Sequence, residues 1–176
     1  MDKDRLDFII RAFLKINKNF IFNIYGLTFD EYCHIFNVEK KEASDIQKNT
    51  RIVFHGRVDH DTVLKALYDS HYMVIIRNRS RKNDAGFPTK FVESICSGVP
   101  VIANDYSDLS LYYKNEVGIL IDNLDCTYNG LSKAINLPYC EYVNMKTNCL
   151  NCEDFWYENH SYRLGMYLSK IINEKN

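Results

Sequence analysis

The spacing of apolar and polar residues divides the chain into alternating helices and strands. Residues 6–14 carry apolar side chains at intervals of three and four, which predicts a helix with one buried face. Short continuous apolar runs predict buried strands at residues 20–25, 51–58, 72–76, 99–103 and 117–121. Further helices are predicted at residues 39–48, after Asp59 or Asp61, at residues 89–97, after Asp108, at residues 131–135 and at the C-terminus. The rest of residues 123–152 shows no clear pattern.

The predicted strands are apolar throughout, whereas a strand with one solvated face would alternate between apolar and polar residues. Strands of this kind, separated by helices, are typical of a parallel sheet that is covered by helices on both faces. The sequence therefore predicts an α/β fold with a doubly wound, Rossmann-like parallel sheet. We expect this domain to cover residues 1–150 and a final helix to occupy residues 151–176.

Composition narrows the possible functions. The 176 residues fit one domain, and the hydrophobic share of 46% is enough for a packed core, which excludes a disordered chain. The formal net charge of −1 gives no basic excess of the kind that nucleic-acid-binding proteins show. The N-terminus does not resemble a signal peptide, no apolar run is long enough to span a bilayer, and the six cysteines lack the spacing of a disulfide scaffold. We therefore expect a reduced, cytoplasmic protein.

The loops that follow the strands are where a parallel sheet of this type binds ligands. The strand at residues 72–76 leads into the sequence Arg77-Asn78-Arg79-Ser80-Arg81-Lys82, which places four cations within six residues. Cations at this edge of a sheet attract phosphate groups, although a solvated basic loop is an equally good interpretation. Arg77 lies nearest the strand, and we select it as a candidate phosphate ligand.

The next segment has the features of a phosphate site. Gly86 permits close approach of a ligand to the backbone, and Pro88 and Thr89 lead into a helix whose first N–H groups favour an anion. Lys90 adds a mobile cation, and Glu93 can accept two hydrogen bonds from a vicinal diol such as that of ribose. An ordinary junction between a loop and a helix, with a solvated glutamate, explains the same residues without a ligand.

Residues 86–105 carry a more specific pattern. They read Gly-Phe-Pro-Thr-Lys-Phe-Val-Glu-Ser-Ile-Cys-Ser-Gly-Val-Pro-Val-Ile-Ala-Asn-Asp. This segment resembles the donor-site signature of group 1 glycosyltransferases of family four, in which a Glu-Gly-Phe-like loop precedes a helix with a second Glu and then Ala/Ser-x-Gly-x-Pro-Val-Ile. The Pro-Thr-Lys variant is similar to enzymes that build capsule, exopolysaccharide or lipopolysaccharide. Weaker similarities at residues 3–6, 20–26, 53–56 and 72–77 extend the resemblance over about residues 3–122.

The resemblance implies the C-terminal, donor-binding half of a GT-B glycosyltransferase. It implies that Glu93 holds the ribose hydroxyls of a nucleotide diphosphate sugar, and that Lys3 helps to neutralise the diphosphate. The backbone around Gly86, Phe87, Pro88 and Thr89 would meet the sugar or the distal phosphate. Arg77 and Lys90 join this set on charge and position alone.

The reaction implied by the resemblance is transfer of the sugar to an acceptor hydroxyl in surface polysaccharide synthesis, with retention of anomeric configuration. The nucleotide sugar is the donor substrate, and we expect neither a metal ion nor another cofactor.

Two departures from the family pattern bear on activity. Ala85 stands where the pattern has its first glutamate, which usually contacts the transferred sugar, and Asp84 is one position out of register. Lys3 lies two residues from the start of the chain, whereas family domains have a central strand before it and, further upstream, an acceptor-binding domain with catalytic groups. We therefore expect an incomplete enzyme, inactive as this chain alone. Its expected partners are an N-terminal acceptor-binding domain or a separate chain, and the full enzyme could associate peripherally with the inner face of a membrane.

Three other interpretations use the same sequence. A non-catalytic nucleotide-binding or interaction module, derived from such an enzyme, agrees with Ala85. A regulator of the flavodoxin type explains the sheet but not residues 86–105. A zinc site at Cys149-x-x-Cys152, with Cys140 and His160 nearby, has only one spaced cysteine pair in its favour.

Overall fold

Helices and strands alternate along most of the chain. The computed structural model describes residues 4–173, apart from the side chains of Asn115 and Asn173, so Lys3 lies outside the described residues. The strands are β1 (Phe22–Tyr25), β2 (Ile52–Gly56), β3 (Met73–Ile75), β4 (Val101–Asn104) and β5 (Gly118–Ile121). The α-helices are α1 (Leu6–Leu14), α2 (Phe29–Ile35), α3 (Lys40–Lys48), α4 (His60–Tyr68), α5 (Arg81–Asp84), α6 (Thr89–Cys96), α7 (Leu109–Tyr112), α8 (Thr127–Asn136), α9 (Tyr139–Leu150) and α10 (Tyr157–Asn173).

Every strand pair is parallel. β1 pairs with β2, and β3, β4 and β5 form a second sheet in that order, with Val101 opposite both Met73 and Gly118. Among the described residues no ladder of hydrogen bonds joins β1 to β3. The predicted α/β class, with parallel strands flanked by helices, is confirmed. A further strand in the middle of the sheet, which the family resemblance implies, stays a prediction.

The side chains of β4 alternate between two packed faces, and all four of its residues are buried. Ile102 belongs to a core that contains Ile9 and Ile76, whereas Val101 and Ala103 belong to a core on the opposite face. Helix α8 packs on the first face beside α1, and α6 packs on the second beside α9. Because helices cover both faces, the three consecutive apolar residues Val101, Ile102 and Ala103 are all buried, and this part of β4 does not alternate between apolar and polar residues.

The spacing of apolar residues did not predict α2, α9 or the short helix α5. Helix α2 begins with a capping box, in which the Thr28 hydroxyl accepts a hydrogen bond from the Glu31 N–H (3.3 Å) and the Glu31 carboxylate accepts one from the Thr28 N–H (2.8 Å). Helix α9 follows Pro138 and buries only Cys149 among its described residues, so it has no continuous apolar stripe. The helix predicted at residues 131–135 is confirmed as part of the longer α8.

The predicted C-terminal helix is confirmed as α10. Most of its side chains are exposed, including the large apolar residues Leu164, Tyr167 and Leu168. Within residues 4–173, no helix has the length and apolar character needed to cross a bilayer. The domain boundary at residue 150 stays a prediction.

Candidate functional site

The candidate site lies beside the carboxyl ends of β3 and β4. There the Asn104 side chain accepts a hydrogen bond from the Arg77 N–H (2.7 Å) and donates one to the Arg77 carbonyl oxygen (2.8 Å). Both residues are buried, and these two bonds satisfy backbone groups that lie just beyond the end of β3. The start of the basic loop is thereby fixed to the neighbouring strand.

The basic loop contains the short helix α5. The Ser80 hydroxyl accepts a hydrogen bond from the Asn83 N–H (3.2 Å), and the Asn83 amide donates to the Asn78 carbonyl oxygen (2.8 Å). These bonds make an ordered turn of a segment that the sequence predicted as a loop. The remaining cations of the loop are exposed, namely Arg79, Arg81 and Lys82.

Gly86 borders free space, whereas the side chain of Phe87 packs against other aromatic rings. Gly86 is exposed, and a Cβ atom built on it would meet no heavy atom within 4 Å, so there is free space next to the backbone. The Phe87 ring packs against Phe91, Tyr112 and Phe155, with ring centroids 5.9, 5.1 and 6.0 Å away. Phe87 therefore anchors the loop with its side chain and offers only its backbone to a ligand.

Helix α6 has a buried face and an exposed face that agree with its sequence. Phe91, Ser94 and Ile95 are buried, and the Ser94 hydroxyl donates to the Val99 carbonyl oxygen (2.7 Å) beyond the helix end. Lys90 and Glu93, three residues apart, share the exposed face. Among the described residues, no side chain forms a hydrogen bond or an ion pair with the Glu93 carboxylate.

The N-terminus of α6 is suited to an anion. Pro88 is buried at the N-cap position, and no side chain of the described residues caps the helix. The Phe91 N–H donates to the Pro88 carbonyl oxygen (3.0 Å), so the N–H groups of Thr89 and Lys90 are the ones left for an anion. Thr89, the first helical residue, is exposed beside Gly86 and the adjacent free space. The backbone of residues 86–89 thus lies at the end of the helix face that carries Lys90.

Asp4 joins two of the predicted cations. Its carboxylate accepts a hydrogen bond from Arg77 Nε and another from Lys90 Nζ (2.9 Å). Burial raises the pKa of Asp4, but the Lys90 ammonium and the Arg77 guanidinium outweigh it and hold this pKa below its ordinary value. Arg77 itself is 5% exposed, and its guanidinium lies 5.3 Å from the centre of the Tyr106 ring. Arg77 therefore lies beneath the site and reaches it through Asp4.

The structure brings together most of the residues selected from the sequence. Gly86, Pro88, Thr89, Lys90 and Glu93 lie along one loop and the helix face that follows it. Lys3 lies outside the described residues.

Asp4 was missed because its partners are 73 and 86 residues away in the sequence, and no local pattern marks such a pair.

Position 85 has no carboxylate that could replace the expected glutamate. Ala85 is exposed at the end of α5. The neighbouring Asp84 accepts a hydrogen bond from the Ser107 N–H (3.2 Å) and lies 4.0 Å from Arg79 Nε. Asp84 is therefore already occupied by contacts with Arg79 of the loop and with Ser107 beyond β4.

Comparisons with known proteins identify the family and the fold. The family model for glycosyl transferases of group 1 matches residues 1–136. The fold is similar to that of sucrose-phosphate synthase from Thermosynechococcus elongatus, with 15% identity and a TM-score of 0.69 over 99% of this chain and 44% of that one. It is also similar to Anabaena HepE in complex with UDP-glucose, with 13% identity and a TM-score of 0.72 over 97% of this chain and 46% of that one.

A third similar structure is WaaG, a glycosyltransferase involved in lipopolysaccharide biosynthesis. It shares 14% identity and a TM-score of 0.67 over 87% of this chain and 40% of that one. The chain thus spans less than half the length of each of these three proteins. At such identities the likeness shows a common fold. Among curated proteins, none matches the sequence.

Proposed function

The chain belongs to the glycosyl transferases of group 1, and we propose that it forms the part of such an enzyme that binds the nucleotide-sugar donor. Its parallel sheets and helices have the fold of a GT-B glycosyltransferase domain. The complete reaction in this proposal is transfer of a sugar from a nucleotide diphosphate to an acceptor hydroxyl during surface polysaccharide synthesis, with retention of anomeric configuration.

The observation that carries the proposal is the exposed face of α6. It presents an ammonium group at Lys90 and, at Glu93, a carboxylate that has no partner among residues 4–173, next to the open backbone at Gly86. The chemical groups of a donor molecule follow in a matching order, because its ribose diol is joined to the diphosphate and the diphosphate to the sugar. The carboxylate of Glu93 would accept hydrogen bonds from the ribose hydroxyls, as the family resemblance implies.

The diphosphate would lie at the N-terminus of α6. The free N–H groups of the first turn and the Lys90 ammonium would oppose its negative charge. Charge grows on the nucleoside diphosphate as the bond to the sugar breaks, so groups that are already oriented there stabilise the leaving group. The proposal uses no metal ion.

The rest of the enzyme supplies the acceptor site in this proposal. An N-terminal domain or a separate chain would carry it, with peripheral membrane association of the full enzyme. The exposed apolar residues of α10 support a further contact, because Tyr157, Leu164 and Leu168 lie on the surface of the described structure. The proposed location of the enzyme is the cytoplasm.

A non-catalytic nucleotide-binding module is a second candidate, favoured by Ala85. Without a carboxylate at that position, the loop lacks the group that the family resemblance assigns to the transferred sugar. This candidate retains nucleotide binding through Glu93 and loses sugar transfer. Binding of a nucleotide diphosphate is therefore common to both candidates, and only a transfer assay with the acceptor domain present separates them.

Calorimetric titration with UDP and GDP tests the proposal. We expect one of them to bind, and Glu93→Ala to weaken that binding by about tenfold or more, because a charged hydrogen-bond acceptor contributes about 1.5–3 kcal/mol. Glu158→Ala, which removes an exposed carboxylate from α10, is the matched control and should leave the affinity unchanged. Absence of binding to the folded chain, or equal affinity of wild type and Glu93→Ala, would contradict the proposal.

A further inference from the structure

Asp4 connects the buried Arg77 to the exposed Lys90. The Asp4 Oδ1 atom accepts from Arg77 Nε, and its Oδ2 atom accepts from Lys90 Nζ at 2.9 Å. The Lys90 side chain is 51% exposed, whereas that of Arg77 is 6% exposed. One carboxylate therefore bridges a cation beneath the site and a cation at its surface.

The Asp4 carboxylate is held in place independently of Lys90. Asp4 forms a β-bridge with Arg77, and the next residue, Arg5, donates its N–H to the Ile76 carbonyl oxygen (2.7 Å). The Asn104 side chain in turn forms hydrogen bonds with both the N–H and the carbonyl oxygen of Arg77. The backbone that carries the Asp4 carboxylate is thus fixed by hydrogen bonds, whereas the Lys90 side chain is half exposed.

The side chains of Asp4, Arg77 and Lys90 together carry a positive charge and can therefore bind an anion. Two cations share one carboxylate, so the three side chains carry a net charge of +1. A lysine ammonium has three N–H donors, and the bond to Asp4 uses one of them. In the part of the chain that the structure describes, the other two have no partner, and the anchored carboxylate determines the direction in which they point.

We propose that Asp4 is a positioning residue that holds the Lys90 ammonium beside the N-terminus of α6, where it receives the distal phosphate of the donor. In this arrangement Arg77 acts by anchoring Asp4 and does not contact the donor. The inference rests on the proposed function, because it concerns the same nucleotide site. The alternative role for Asp4 is competition, in which its carboxylate would occupy the place of the phosphate and would have to be displaced when the donor binds. The fixed backbone at Asp4 favours positioning.

The two interpretations predict opposite results for Asp4→Asn. The test is calorimetric titration of the full chain with UDP and UMP, or with GDP and GMP if guanine is the base that binds. Because Lys90 serves the distal phosphate, we expect Asp4→Asn to weaken binding of the diphosphate by about five- to tenfold and to leave the monophosphate within about twofold.

Two further variants separate positioning from a loss of folding. Lys90→Met keeps the Asp4–Arg77 pair and should cause the same selective loss of diphosphate affinity. The double variant should lose no more than either single variant, because both act through one ammonium group. Asp45→Asn, which removes an exposed carboxylate from α3, is the control for the change of charge and should bind both nucleotides as the wild type does.

Four results would overturn the positioning role. A gain in diphosphate affinity in Asp4→Asn would show competition, and an equal loss for the diphosphate and the monophosphate would show a structural role. If Asp4→Asn does not fold, an unchanged ratio of the two affinities in Lys90→Met decides against the inference. Failure of the wild type to bind any of these nucleotides would overturn the proposed function as well, whereas binding with an unchanged ratio in the variants would overturn the inference alone.

Discussion

Gly98 ends the helix that carries the candidate site, and replacing it tests how that helix is held. The Val99 N–H donates to the Ser94 carbonyl oxygen (2.9 Å) across the helix end, with Gly98 at φ +70°. This is the Schellman arrangement, in which a glycine adopts the left-handed conformation. An ideal Cβ at Gly98 would lie 2.7 Å from Cδ2 of Leu150 in α9 and 2.9 Å from its Cγ. Gly98→Ala therefore meets a backbone cost and a packing cost.

The two costs can be estimated separately. The left-handed conformation costs about 1–2 kcal/mol for a residue with a Cβ. Moving the Leu150 side chain, which is 55% exposed, to a less favourable rotamer adds about 0.5–1.5 kcal/mol. We therefore expect Gly98→Ala to lower the free energy of unfolding by about 1.5–3.5 kcal/mol, which corresponds to a fall in Tm of about 3–14 °C for a chain of this size.

Urea denaturation followed by circular dichroism measures this effect. Leu150→Ala removes the atoms in the packing contact, so in that background Gly98→Ala should retain only the backbone cost, about 1–2 kcal/mol. In the same Leu150→Ala background, Gly98→Asn should cost less than Gly98→Ala, since Asn tolerates the left-handed conformation better. A Gly98→Ala variant within about 0.5 kcal/mol of the wild type, or one equally destabilised with and without Leu150, would refute the reasoning.

Two further predictions concern ionisable groups away from α6. Burial raises the pKa of Asp7, but its hydrogen bonds and ion pair with Arg5 outweigh burial and hold this pKa below its ordinary value. The ionised carboxylate therefore stabilises the fold above about pH 4, and this stabilisation is lost as the pH falls through the folded-state pKa. Asp7→Asn should therefore lower the free energy of unfolding by about 1–3 kcal/mol at pH 7, and the difference from the wild type should shrink towards pH 3 in urea titrations; a difference independent of pH would contradict this. Burial also raises the pKa of the Cys149 thiol to about 12, so mass spectrometry should show Cys149 reacting with a thiol reagent far more slowly than the exposed Cys140, and equal rates would contradict the structure.

The parts of the fold that depend on local sequence could be predicted. The apolar run that became β4 and the helical spacing that became α6 both depend on residues close together in the chain. Gly98 marked the end of α6 because few other residues adopt a positive φ without strain. The loop at residues 86–89 and the two candidate ligands on α6 follow directly from that local assignment.

The parts that depend on distant contacts could not be predicted. Nothing in the sequence near Asp4 indicates that its carboxylate joins Arg77 and Lys90, because the chain must fold before these groups meet. Phe87 shows the same limit: its place in the loop was predicted, but the aromatic cluster that receives its ring includes Phe155 from the other end of the chain.

Helix α9 was missed for a related reason. Its contact with Gly98 through Leu150 is made after folding, and within the described chain Cys149 is its only buried residue. A helix with so little apolar surface gives a weak signal in the sequence.

The measurement that tests the central claim most directly is a titration in which the ribose hydroxyls and the Glu93 carboxylate are removed separately. Wild type and Glu93→Ala are titrated with the nucleoside diphosphate that binds and with its 2′,3′-dideoxy analogue. If Glu93 holds the ribose, the wild type should bind the analogue about tenfold or more weakly, and Glu93→Ala should bind both ligands alike with the weaker affinity. A wild type that does not distinguish the two ligands, or a Glu93→Ala variant that still distinguishes them by the same factor, would contradict a donor site on this face of α6.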